Sequence, residues 1–252
     1  MIPVLPESFR TIPIAHRALH DAAEGRPENS RAAVRAAVAA GYGIEIDLQL
    51  SRDGQAMVFH DYVLDRLTDA AGDVAGRDAA DLQQIPLKHD SEGIPTLRDV
   101  LEIVAGRVPL LVELKDQDGA LGSKVGPLER AVARDLQGYR GDVAVMSFNP
   151  HSVAALRGLL PFVPRGLTTE DFTAEPDWPV AEAHRAELSA IPHYDRVGAC
   201  FVSHHHKQLA MGRVAELKSD GAVILCWTVR SPEEEAAARK VADNVTFEGY
   251  LA

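Results

Sequence analysis

The stretch Gly43–Asp61, GIEIDLQLSRDGQAMVFHD, decides how the chain is read. Ile44, Ile46, Leu48 and Leu50 are apolar at every second position, the period of a strand, which leaves Glu45, Asp47 and Gln49 on the opposite face. A second apolar run, Gln55–His60, follows after only Ser51-Arg52-Asp53-Gly54. A parallel neighbour needs a crossover of about a dozen residues or more, so this run cannot be the next strand of a parallel sheet. Asp-Gly is a strong hairpin signal, and the second run is expected to fold back antiparallel on the first. Two carboxylates then share one strand face, and the hairpin returns His60 towards them.

With that run set aside, short apolar runs alternate with helical patterns along the whole chain. Strands are expected at Thr11–His16, Gly43–Leu50, Val108–Leu114, Val143–Phe148, Val163–Leu167, Arg196–Ser203, Ala222–Val229 and Asn244–Phe247. Helices are expected at Pro27–Gly41, Pro95–Ala105, Ser123–Gln137, Asn149–Leu160, Val180–Ala190, Lys207–Asp220 and Pro232–Val241. Pro27 near the start and Gly41 at the end of the first helix follow the usual placement of those residues. Strands alternating with helices imply a parallel sheet, and eight of them imply an α/β fold of the closed (β/α)8 TIM-barrel type. Leu64–Gly93 is polar and rich in Asp, Ala and Gly, and reads as a cap-like insertion after the second strand and its hairpin. Residues 1–252 are therefore expected to form one domain. Glu170–Pro179 reads as a loop, with Trp178 as a lid or packing residue.

Composition agrees with this size and class. At 252 residues the chain suits one barrel, since single barrels often run to about 250 residues. Net charge is −11 with no block of Lys or Arg, which disfavours nucleic acid or an anionic membrane as partner and leaves room for a local basic site binding one small anion. The first residues lack a basic, then apolar, leader pattern, and no apolar run approaches the length of a membrane span. A cytoplasmic location is expected. Cys200 and Cys226 lie in apolar runs and are expected as buried thiols on core strands, not as a redox or metal pair.

In such a barrel the active residues sit at the C-terminal ends of the strands. The first strand ends in His16-Arg17, the second carries Glu45 and Asp47, and the third ends in Glu113 and Lys115, two apart and so on one face. Three converging carboxylates repel one another unless protonated or bridged by a cation. Oxygen-only ligands suit one hard divalent ion, Mg2+ or Ca2+, better than zinc. Arg17 and Lys115 supply donors for an anion, and the guanidinium matches the paired oxygens of a phosphate. His16 and His60 can serve as base and acid near neutral pH. Together these groups point to phosphoryl chemistry.

The motifs IAHRA, RPENS, EIDLQLSRDGQAMVFHD, VELK, MSFNP and CWTVR occur in that order between His16 and Arg230. In this the chain resembles the glycerophosphodiester phosphodiesterases. The resemblance implies a metal-dependent barrel that cleaves glycerophosphodiesters to glycerol phosphate and an alcohol. It implies His16 and His60 as the acid–base pair, Glu45, Asp47 and Glu113 as metal ligands, and Arg17 and Lys115 as phosphate contacts. It also puts Glu28 and Asn29 at the border of the site and Trp227 against the glycerol. Asn29 can equally cap the first helix, and Trp227 can equally be barrel core.

Ala18 replaces the family's glycine after His-Arg, the Leu19–Arg26 loop is longer than usual, Arg230 stands where Asn is common, and NVTFEG lacks the family's usual ending. Ser203-His204-His205-His206 is expected as a mobile surface run at the mouth, with contact to the leaving group as the alternative. Two rival functions use the same pattern. A related barrel phospholipase, of the phosphoinositide or sphingomyelin type, needs a membrane-binding surface, and no basic amphipathic stretch is seen. A catalytically idle barrel would not need both histidines and all three carboxylates.

Overall fold

A computed structural model describes residues 2–174 and 178–252. Its sheet has nine strands: β1 Ile14–Ala15, β2 Gly43–Leu50, β3 Ala56–Val58, β4 Leu110–Leu114, β5 Val143–Ser147, β6 Arg165–Thr169, β7 Phe201–His205, β8 Val223–Val229 and β9 Asn244–Phe247. Eight are parallel and form a closed ring, with β1 pairing both β9 and β2. β3 is the exception, antiparallel to the upper end of β2 in the register Leu48↔Val58, Gln49↔Met57 and Leu50↔Ala56. The hairpin therefore stands above the mouth and takes no place in the ring, so the chain is a (β/α)8 barrel with one added strand.

The ring follows from alternation along each strand. On β2, Ile44, Ile46 and Leu48 pack outward with Val34 and Ala37 of helix α2 (Arg31–Ala40) and Val100 and Val104 of helix α3 (Leu97–Val104), which leaves the odd-numbered positions for the interior. Low in the barrel the interior is apolar: Ile14, Leu111, Ala144, Phe201 and Leu225 pack together, joined from below by Leu5 and Phe9 of the helix α1 (Ser8–Thr11) region. Higher up the same faces become polar, and that change marks the mouth.

Helix boundaries show which local signals held. Gly41 ends α2 in the left-handed conformation at φ 75°. Thr96 and Asp99 form a reciprocal capping box on α3. α2 begins later than expected because the side chain of Ser30, not Asn29 or Pro27, accepts from the Ala33 amide as its cap. The fifth barrel strand lies at 165–169, two residues beyond the expected start and end. Arg196 and Val197 are helical, in a short turn Tyr194–Val197, so the next strand starts only at Phe201. The insertion builds its own apolar cluster from Leu64, Val74, Ala79, Leu82, Leu87 and Ile94 against Met57 and Phe59 of the hairpin. Part of the expected 170–179 loop, residues 175–177, lies outside the described residues; Trp178 packs on Phe148 and Phe172. Cys226 is buried and Cys200 only half-buried, just ahead of β7. Among the described residues no helix is long and apolar enough to cross a membrane.

Gly166 lies beside Phe201 across the β6–β7 ladder, and a Cβ there would stand 2.3 Å from the Phe201 ring. Filling that space forces a packed ring to move, at a cost of about 1–3 kcal/mol. Urea unfolding of Gly166→Ala is expected to show that loss, and adding Phe201→Leu to recover part of it. Unchanged stability in Gly166→Ala would remove the close approach from the account.

Candidate active site

The polar faces of β2, β4 and β9 and the residues directly after β1 meet at the C-terminal mouth. There His16, Arg17, Glu45, Asp47, His60, Glu113, Lys115, Met146, Phe148, Trp227 and Thr246 line a cavity of about 60 Å3. Hollows of about 550 and 600 Å3 open elsewhere on the surface, but neither gathers opposed charges as densely. Eight of the ten residues expected at the site thus line one cavity. Glu28 and Asn29 stand behind it.

Carboxylate oxygens of Glu45, Asp47 and Glu113 lie within 4.8 Å of one another, and all three residues are buried. The Lys115 ammonium bridges Glu113 (2.8 Å) and Asp47 (3.2 Å), while Arg17 Nε lies 3.4 Å from Asp47 Oδ2. Two cations therefore face three carboxylates, and neither makes a close contact with Glu45. Glu45 accepts from the Arg17 backbone amide at 2.9 Å. Burial, with Asp47 and Glu113 nearby, pushes the Glu45 carboxyl well above the ordinary carboxylate range. Asp47 moves the other way: burial alone would raise it, but Lys115, His60 and Arg17 together hold it far below its usual value. The site thus gathers three hard oxygen donors whose full ionisation the two cations do not offset, which is the donor set a divalent cation takes. Glu45, Asp47 and Glu113 could hold such an ion.

Each histidine has a carboxylate at Nδ1. His16 Nδ1 lies 2.6 Å from Glu248 Oε2, and His60 Nδ1 lies 2.7 Å from Asp61 Oδ1. Carboxylates accept, so the proton belongs on Nδ1 and Nε2 is left for other work. Burial lowers the His16 pKa, partly offset by the Glu248 bond, so His16 is neutral near pH 7. His60 is placed by the hairpin: Phe59 N–H donates to the Asp47 carbonyl at 2.9 Å, and Gln49 Nε2 donates to the His60 carbonyl at 3.0 Å.

Asn29 is buried, with its side chain against Asp47: Nδ2 donates to Oδ2 at 3.0 Å, and the Asp47 amide donates to Oδ1 at 3.3 Å. Its helix-capping alternative does not hold. Glu28 Oε1 accepts from Arg17 Nη1 at 2.8 Å. Arg17 and Ala18 take positive φ of 51° and 66°, and Ala18 N–H donates to the Glu45 carbonyl at 3.0 Å. A glycine would take this conformation without steric cost, so Ala18 keeps the turn at an expense of about 1–2 kcal/mol. Trp227 Nε1 donates to the Ser203 carbonyl at 3.0 Å, and its ring meets Phe148 edge-on.

The histidine run is not mobile surface. His204 is buried on the outer face of β7 with Nδ1 2.8 Å from Thr169 Oγ1. His205 packs edge-on against Trp227. β7 starts five residues later than expected and so carries the run into the sheet. Glu248, Asp61 and Arg66 also belong to the site's charge network and were not singled out from the sequence. Asp61 was within reach as the neighbour of His60; Glu248 had only its place after the last strand.

A barrel that gathers carboxylates, two cations and two carboxylate-backed histidines at its mouth defines a phosphate-ester-cleaving class of enzyme. The chain belongs to the glycerophosphoryl diester phosphodiesterase family, whose profile matches residues 16–245, and so is a phosphoric diester hydrolase. The Bacillus subtilis protein YhdW, which bears that enzyme group's name, is 30% identical over 232 residues, 88% of each chain. The glycerophosphodiester phosphodiesterase of Caldanaerobacter subterraneus is 28% identical over 235 residues, 90% of this chain and 88% of that one. An Oleispira antarctica phosphodiesterase, solved with the product sn-glycerol-3-phosphate, matches 95% of this chain and 94% of its own with a TM-score of 0.75. At 24% identity that likeness is one of fold.

A carboxyl whose folded-state pKa is raised above 4.5 contributes stability that is complete below that value and lost as pH rises through the folded value. In chelator, Glu45→Gln is therefore expected to melt higher than the unsubstituted protein, and the gap to widen as pH rises above the ordinary carboxylate range. A gap that stays constant or narrows with pH would remove the buried charge at Glu45 as its cause.

Proposed function

We propose that this chain, acting through residues 1–252 as one domain with 64–93 as its cap, hydrolyses glycerophosphodiesters to glycerol phosphate and an alcohol. The observation that carries the reading is the pair of histidines, each backed at Nδ1 by a carboxylate, lining one cavity with three carboxylates and two cations. Glu45, Asp47 and Glu113 would hold one divalent cation, Mg2+ or Ca2+, which when bound offsets charge on the phosphate. Arg17 and Lys115 grip phosphate oxygens, the guanidinium by its fork and the ammonium as a point charge. Trp227 packs its ring against the glycerol.

His16 and His60 divide the proton work. Neutral His16 takes a proton at Nε2 from the attacking hydroxyl, and Glu248 stabilises the imidazolium that results. His60, held by Asp61, gives an Nε2 proton to the departing alkoxide. The attacking hydroxyl is the substrate's own glycerol hydroxyl or water; in the first case the cyclic phosphate is opened by water with the two histidines exchanging roles. Glu28 and Asn29 keep Arg17 and Asp47 in place. A cytoplasmic setting fits the free thiols.

EDTA is expected to abolish hydrolysis of glycerophosphocholine, and added Mg2+ or Ca2+ to restore it; activity indifferent to chelation would sink the metal assignment. His16→Ala and His60→Ala are each expected to lower kcat by about 10²-fold or more, as acid–base groups do. A near-normal rate in either variant would take that histidine out of the mechanism. Sphingomyelin and phosphoinositide run alongside separate the phospholipase reading from this one.

A further inference from the structure

The cap-like insertion reaches the site through one side chain. Arg66 donates from Nε to Asp61 Oδ2 at 2.6 Å and from Nη2 to Asp61 Oδ1 at 3.0 Å. The same guanidinium donates from Nη1 to Glu28 Oε2 and from Nη2 to Glu28 Oε1, both at 2.8 Å. These are two forked pairs on a single group, the geometry that gives arginine–carboxylate contacts their directionality. Beyond each carboxylate lies a residue of the cavity. Asp61 Oδ1 also holds His60 Nδ1, and Glu28 Oε1 also holds Arg17 Nη1.

The backbone carrying Arg66 is anchored on both sides. Leu64 is buried in the insertion's apolar cluster, and buried Thr68 donates from its amide and its hydroxyl to the Leu64 carbonyl at 3.0 and 2.9 Å. Lys88 Nζ donates to the carbonyls of Asp65 and Arg66 at 3.0 and 3.1 Å. The side chain itself is 47% exposed. Exposed ion pairs contribute little to stability, so the four bonds do not explain themselves as a fold-holding device. Their value lies in direction: they fix the planes of two carboxylates whose other oxygen lobes orient His60 and Arg17.

We infer that Arg66 is a positioning residue that couples the two halves of the site, orienting His60 through Asp61 and Arg17 through Glu28. The inference rests on the acid–base role of His60 and the phosphate-gripping role of Arg17 proposed above. A lysine cannot replace it, because one ammonium cannot lay two planar forks on two carboxylates.

The test is steady-state hydrolysis of glycerophosphocholine with saturating Mg2+, read as kcat and KM separately, with thermal melts alongside. Arg66→Ala is expected to melt near the unsubstituted protein, lower kcat about 10- to 100-fold and raise KM. Asp61→Asn is expected to reproduce the kcat loss, Glu28→Gln the rise in KM, and Arg66→Ala to add little to either in the double variants. Arg66→Lys is expected to recover neither. Full activity in Arg66→Ala, full recovery by lysine, or additive losses in both double variants would each overturn the coupling. Should Arg66→Ala prove too unstable to assay, Arg66→Gln carries the same comparison. His60→Ala separates the two levels: an active His60→Ala refutes the proposed mechanism, whereas an inactive one beside an unimpaired Arg66→Ala refutes only Arg66.

Discussion

Three buried carboxylates within 4.8 Å of one another form the constraint to which the rest of the site answers. Like charges so placed cannot all ionise without compensation. The compensation comes from three directions. Lys115 spans two of the carboxylates, Arg17 approaches the same Asp47 from β1, and Asn29 fixes Asp47 through both ends of its amide. Glu45 stays the odd one out, balanced by a single backbone amide. The alternation of β2 makes this affordable: Ile44, Ile46 and Leu48 bury fully against the helices on one face while the other is given to charge. A strand with less apolar surface would not carry two buried carboxylates.

The hairpin resolves a conflict between pattern and reach. Residues 55–60 look like a strand and 56–58 are one, yet four intervening residues cannot cross a barrel, so their place is set by loop length and not by hydrophobicity. The hairpin is legible in the sequence, as is the 43–50 strand to the residue, because strict alternation opening on a glycine leaves few readings. The last strand, 244–247, was equally legible. Elements in the 160–210 region were not. Val163–Leu167 is displaced towards 165–169, and the segment at Arg196 turns helical before β7 begins. Short apolar runs there fit helix or strand alike, and only the neighbours in the ring decide.

The site divides in the same way. Residues at strand ends, two apart on one face, could be placed by periodicity alone: Glu45 with Asp47, and Glu113 with Lys115. Residues that orient them could not. Glu248 meets His16 across 232 positions, and Arg66 meets Glu28 across 38. Such pairs leave no local trace, since any exposed arginine or glutamate looks the same in a sequence. The histidine run misled for the opposite reason. Three polar residues together suggest a loop, but one imidazole faces a threonine between sheet and helices and the next packs on an indole.

β1 is only two residues long and holds the ring shut between β9 and β2. Its pairing with β9 joins the beginning of the chain to its end, the longest loop closure among the strand pairings, and contacts of that separation carry a large entropic cost and form slowly. Its other neighbour, β2, already has β4 and the local β3 hairpin to pair with. The seam is therefore the part of the barrel expected to zip last during folding. His16 and Arg17 follow that seam directly, and Glu248 ends the strand on its far side. A chain with seven-eighths of its barrel assembled would already have its acidic cluster and its hairpin histidine, yet lack His16 in its place beside Glu248. If His16 is the base, as proposed above, ring closure completes the site, and a barrel still open at β1 is expected to be inert.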